Sequence, residues 1–110
     1  MTTMTVKRPL RRPPTHPGVL MREILDDHLA LPIAEAARRM QVSRPSLYAV
    51  LGGRGAVTAE MALCFSKLAG GAPELYRHMQ DNYNLWHARN ELHATLTQIE
   101  PAGTSGQPPR

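Results

Sequence analysis

A chain of 110 residues has room for one modest hydrophobic core and none for a second. With 42% apolar residues it can fold without disulfides, its single cysteine excludes an intramolecular bridge, and a 5% aromatic content argues against a large aromatic-lined pocket. The formal charge of +4 is unevenly placed, since Lys7, Arg8, Arg11 and Arg12 stand together near the start with no acid among them. No apolar run approaches the roughly 18 residues of a membrane span and no apolar secretory signal opens the chain, so a soluble cytoplasmic protein with no membrane partner is expected.

The two ends differ from the middle. Residues 1–15 are rich in proline and base, and from residue 100 onward the chain is nearly all Pro, Gly, Ser, Thr and Gln. Both read as flexible tails, the first basic and the second disordered, around a single domain at 16–99.

Within that domain the punctuation predicts helices and no strands. Pro17 suits the first turn of a helix, where its missing N–H is not needed, and Leu20, Ile24 and Leu25 continue as an apolar stripe toward Leu29. A second helix begins at Pro32 and carries Ile33, Ala36, Ala37 and Met40. The chain then turns within Gln41-Val42. Ser43 is a good N-cap for a short third helix buried through Leu47, Val50 and Leu51, which Gly52-Gly53 stops. Thr58 caps a fourth helix with Met61, Ala62, Phe65, Leu68 and Ala69 inward, closed by Gly70-Gly71. Pro73 starts a fifth and longest helix, expected to persist to about Ile99.

Two helices joined by a three- or four-residue turn, the second opened by a capping serine, have the layout of a helix-turn-helix. Each mechanical requirement has a residue. Ala37 lets the two helices approach, Val42 plugs the turn, and Leu47 and Val50 hold the second helix down while Arg44, Ser46, Tyr48 and Ala49 face more outwardly. Between Glu35 and Glu60 no acid occurs, whereas Arg38, Arg39, Arg44 and Arg54 all fall there. A phosphate backbone favours such a surface. Packing patterns alone also fit a helical bundle with no such role.

From His16 to about Glu91 the sequence resembles the HigA-type antitoxins, a branch of the helix-turn-helix regulators of the XRE, phage-repressor-like type. The resemblance is carried by His16-Pro17-Gly18, the helix pair from Ile33 through Leu51, the loop Gly53-Arg54-Gly55-Ala56-Val57-Thr58, and Pro73-Glu74-Leu75-Tyr76 with Asn82-Tyr83-Asn84-Leu85-Trp86. It implies an all-α, five-helix domain in a cytoplasmic homodimer that binds a palindromic operator in its own promoter. It also implies a RelE-like, HigB-type toxin as partner, an endoribonuclease that cuts messenger RNA at the ribosome. Two positions depart from the family pattern. Gln41 stands where the turn usually carries Gly, at a cost on the order of 1–2 kcal/mol if it is left-handed. Pro45 stands where a polar side chain usually meets DNA, and it has no N–H to donate.

Roles follow. Arg44, Ser46 and Tyr48 are the candidates for base or groove contact. Arg38, Arg39, Ser43 and Arg54 are the candidates for phosphates, Ser43 through the backbone N–H groups it precedes. One such module has a small footprint, so specific binding favours a two-fold dimer. The fifth helix offers its surface: Leu75, Met79, Tyr83 and Trp86 form one stripe, and Leu85, Ala88, Leu92, Leu96 and Ile99 a second. Tyr83 and Trp86 alternatively complete the monomer core. The basic N-terminal tail suits either DNA or a protein partner. Enzyme chemistry is not expected: the five histidines show no metal-ligand spacing, Cys64 stands alone, and no cofactor is implied. The alternatives are a stand-alone regulator without a toxin and a helical protein-interaction module.

Overall fold

A computed structural model describes residues 12–103, and among them the chain is helical throughout with no strand. The expected N-terminal tail therefore lies mostly outside the described residues, as does the end of the C-terminal one. Helix α1 spans Pro17–Glu23 and runs on through a π-helical turn at Ile24–His28. It is followed by α2 (Ile33–Met40), α3 (Arg44–Leu51), α4 (Ala59–Ala69), α5 (Pro73–Glu91) and α6 (His93–Gln98). Among the described residues no helix is long and apolar enough to cross a membrane.

Local chemistry sets most of the boundaries. Ser43 accepts the N–H of Ser46 at 3.2 Å and Thr58 that of Met61 at 3.1 Å, each side chain satisfying a backbone donor that its helix leaves unpaired. Pro32 precedes α2 in extended geometry, so that helix starts one residue later than the sequence suggests. Gln41 ends α2 in the left-handed conformation, at φ 60° and ψ 39°, with its N–H bonded back to Arg38. The turn thus takes the strained geometry without the glycine that would remove the strain.

The core draws on every helix from α1 to α5: Met21 and Leu25, Ala36, Ala37 and Met40, Leu47, Val50 and Leu51, Met61, Ala62 and Phe65, and Tyr76 are buried, with Val57 from the loop before α4. Phe65 meets Tyr76 edge to face at 5.4 Å, joining α4 to α5. The small buried side chains of Ala36 and Ala37 suit close packing of α2, and α1 approaches α3 closely at Gly18. A methyl group added at Gly18 would lie 2.0 Å from the carbonyl oxygen of Val50. Only glycine lets those two helices sit at that distance.

The last part of the chain corrects one expectation. The long helix does not continue unbroken to Ile99; it breaks at Leu92, at φ −98° and ψ 11°, before α6 resumes. Every side chain from Arg89 through Glu100 is exposed, so among the described residues no packing surface holds the helix straight there. The inward face of α5 is centred on other residues than the stripe Leu75, Met79, Tyr83 and Trp86, which the sequence offers as a dimer surface. Tyr76 and Gln80 are its buried residues, with Tyr83 and His87 next on the same face, while Leu75 is half-exposed.

Replacing Gly18 with Ala is expected to lower stability by at least about 2 kcal/mol, or roughly 8–16 °C in melting midpoint for a domain of this size. Thermal denaturation followed by circular dichroism checks it. An unchanged midpoint would mean that α1 does not need to approach α3 so closely.

Candidate nucleic-acid interface

Helix α3 protrudes from the body by its own sequence. Leu47, Val50 and Leu51 are buried, whereas Arg44, Pro45, Ser46 and Tyr48 are exposed, Tyr48 to 46%. Three residues, 41–43, join it to α2, and Val42 packs part-buried against the core as the plug the turn requires. The Ser43 hydroxyl also donates to the hydroxyl of Ser46 at 2.7 Å, so the two serines form one small polar cluster at the start of the helix.

The loop after α3 is held at three levels. Arg54 and Gly55 both donate their N–H to the carbonyl of Ala49, at 2.8 and 3.0 Å, folding the loop back over the last turn of α3. Helix α5 then clamps Val57: its N–H donates to Gln80 Oε1 at 2.8 Å and its carbonyl accepts from Arg77 Nη1 at 2.6 Å. Gln80 is steadied in turn, donating to Asn84 Oδ1 at 3.0 Å. Finally, His16 reaches across from the start of α1. Its Nδ1 accepts the N–H of Gly18 at 2.9 Å, capping that helix, and the ring hydrogen-bonds the backbone of Gly55 and meets Tyr83 edge to face at 4.9 Å.

Gln80 and Arg77 carry no signal in the sequence, where they are two polar residues among many on a long amphipathic helix. His16, Gly18, Tyr83 and Asn84 do lie in the segments that carry the family resemblance. Their physical reason is now visible: the opening tripeptide and the late aromatic segment meet around the loop that carries Arg54.

The four arginines are not equivalent. Glu35 lies one turn before Arg38 and Arg39 and binds both: Arg38 through Nε at 3.0 Å and Nη2 at 2.5 Å, Arg39 through Nε at 3.2 Å. These hydrogen bonds, Arg38's first, hold the Glu35 carboxyl down to a pKa of about 2. The acid-free interval of the sequence is therefore not acid-free in space, because helical spacing carries Glu35 into it. The two arginines also part company. Arg38 shares an open groove with Glu35, Val42 and Arg44, whereas Arg39 lines a separate one with Gln41, Leu63 and Lys67. Arg44 and Arg54 stand at opposite ends of α3, and among the described residues no carboxylate lies within ion-pair distance of either. The Arg54 guanidinium folds beside Gly52, where a side chain would collide with it.

The expected dimer residues divide in the same manner. Leu75, Leu85 and Leu92 are exposed, Met79 and Trp86 are part-buried, and Tyr83 packs on His16 as part of the monomer. Leu85 and Leu92 continue outward with Leu96 and Ile99, all four at least 45% exposed. Among the described residues no three of His, Cys, Asp or Glu converge in a metal-binding arrangement.

No protein-family model matches the chain. Among curated proteins it is similar to the uncharacterised HTH-type transcriptional regulator YddM of Escherichia coli, 32% identical over 76 residues that cover 69% of this chain and 80% of that one. It is also similar to virulence-associated protein A' of Dichelobacter nodosus, 36% identical over 73 residues; the match covers 66% of this chain and spans 63% of the relative's length. Among solved structures it is similar to an addiction-module antidote protein of the HigA family from Coxiella burnetii, with a TM-score of 0.74 and 25% identity, covering 82% of this chain and 99% of that one.

Burial holds the His16 pKa below the ordinary histidine value of 6.5, against the opposing pull of its bond to Gly55. The cap requires a neutral ring with a free lone pair on Nδ1. The unfolded chain protonates near the ordinary value and the folded chain only lower, so stability is complete above pH 6.5 and declines as pH falls through 6.5 toward the folded value. Asn at position 16 keeps a capping acceptor and does not titrate. Urea melts of the wild type and His16→Asn between pH 5 and about pH 8 should therefore show a stability gap that narrows toward acid. A gap independent of pH would contradict this role for the ring.

Proposed function

Because the chain belongs to the helix-turn-helix transcriptional regulators, in the phage-repressor-like branch that holds the HigA-type antitoxins, we propose that it is a DNA-binding antitoxin that represses its own promoter as a homodimer. The observation that carries the reading is α3 itself. It is a short helix held from behind by aliphatic side chains and exposed in front, with an arginine at each end that forms no ion pair among the described residues. A helix so mounted fits a major groove, and arginines one helix-length apart suit the phosphates on either side or a guanine edge at one end.

Arg44 takes the base-proximal role, with Ser46 and Tyr48 beside it. Arg54 takes a phosphate, as do the backbone N–H groups that follow Ser43. Arg38 adds to the Arg44 end across their shared groove, although Glu35 offsets part of its charge, and Arg39 contributes to the general field. Dimerisation falls to Leu85, Leu92, Leu96 and Ile99, together with Leu75 in the first turn of α5, because these apolar side chains are left exposed among the described residues. Neutralisation of a RelE-like toxin rests on the family likeness and not on a feature of the surface.

Gel-shift titration with the gene's own promoter tests the reading. The wild type should form a discrete complex that survives unrelated competitor DNA. Arg44→Ala should weaken it by about 5- to 150-fold, the loss of about 1–3 kcal/mol that one good arginine–base contact represents. Arg54→Ala should weaken all sequences alike and flatten the salt dependence by about one ion. Binding of the wild type to its promoter no tighter than to unrelated DNA would overturn the proposal.

A further inference from the structure

The residues of α3 on the line opposite its buried face are not those with hydrogen-bond donors. With Leu47, Val50 and Leu51 buried, the helical repeat of about 100° per residue puts Pro45 and Ala49 on the opposite line. Pro45 is exposed and presents only ring carbons; Ala49 presents a methyl group, part-covered where the loop at Gly55 approaches it. Donors lie to the sides: Arg44 at the first turn, the Ser46 hydroxyl, already engaged by Ser43, and the Tyr48 hydroxyl.

We infer that Pro45 and Ala49 are specificity-determining residues that read thymine C5-methyl groups in the major groove. The inference rests on the DNA-binding reading above and goes beyond it in naming what the centre of α3 selects. In the major groove, guanine, adenine and cytosine offer polar edges that lose water without finding a partner when pressed against proline and alanine. Thymine alone adds an apolar group, and burying its methyl against these carbons is favourable. Selection therefore works in both directions, through the methyl group that thymine buries and through the polar edge that any other base leaves unpaired. Hydrogen-bonded readout is left to the rim of the site, at Arg44.

The test begins by selecting preferred duplexes from a random pool with the full-length protein. Each thymine of the best duplex is then replaced singly by deoxyuridine, which removes only the methyl group, and affinity is measured by fluorescence anisotropy. At one or two thymines in each half-site the loss should be about three- to tenfold, the range expected for one buried methyl. Pro45→Ser, shown by its circular-dichroism melt to be folded, should bind the thymine and deoxyuridine duplexes alike at the position that Pro45 covers. Deoxyuridine duplexes bound as tightly as the parent at every position would overturn the inference while leaving DNA recognition standing. A pool that yields no preferred sequence would overturn both.

Discussion

The close seating of α1 against α3 is the constraint on which the remaining structure depends. Gly18 presses its bare Cα toward the Val50 carbonyl, Pro17 starts α1 where no N–H is required, and His16 closes that helix end with its own ring. One tripeptide thereby fixes the back of α3. The same imidazole reaches the loop at Gly55 and the ring of Tyr83, so α1, the end of α3 and α5 are registered through a single buried polar group. A neutral ring with one donor and one acceptor can do this; neither a charged nor an apolar side chain can.

With α3 set from behind, its front is free for partners, and charge is arranged accordingly. Glu35 absorbs part of the field of Arg38 and Arg39 and pins them along α2. Arg44 and Arg54, which form no ion pair among the described residues, stand at the two ends of α3. Such exposed pairs contribute little to stability, so the value of the Glu35 arrangement lies in where it leaves positive charge. The Gln80–Val57–Arg77 clamp serves the same end by holding the chain just beyond Arg54 in one position.

Much of this is legible in the sequence because it rests on local rules. Ser43, Thr58 and Pro17 start helices where capping chemistry says they should. Gln41, which the sequence leaves either left-handed or not, ends α2 in the left-handed form, and Ala37, Leu47 and Val50 are buried as a helix pair needs. What is not legible depends on rotation and on contacts between distant segments. The periodicity from Leu75 to Trp86 shows an apolar stripe, but not that α5 turns Tyr76 and the polar Gln80 inward, where Gln80 accepts the backbone N–H of Val57. Hydrophobic pattern cannot reveal a glutamine buried for its hydrogen bonds. Glu35 likewise escapes a count of acids along the chain, since it stands outside the basic interval in sequence and inside it on the helix. The break at Leu92 follows from missing packing, a property of neighbours and not of the residues themselves.

Every role given to α3 requires that its outward face be where DNA lies. The most direct measurement is NMR mapping of backbone amide shifts as a duplex of the gene's upstream region is added to labelled protein. The largest changes should fall on residues 41–49 and 53–55, with α6 changing little. Large shifts confined to α5 and α6, with Arg44, Ser46 and Tyr48 unmoved at saturation, would contradict that placement.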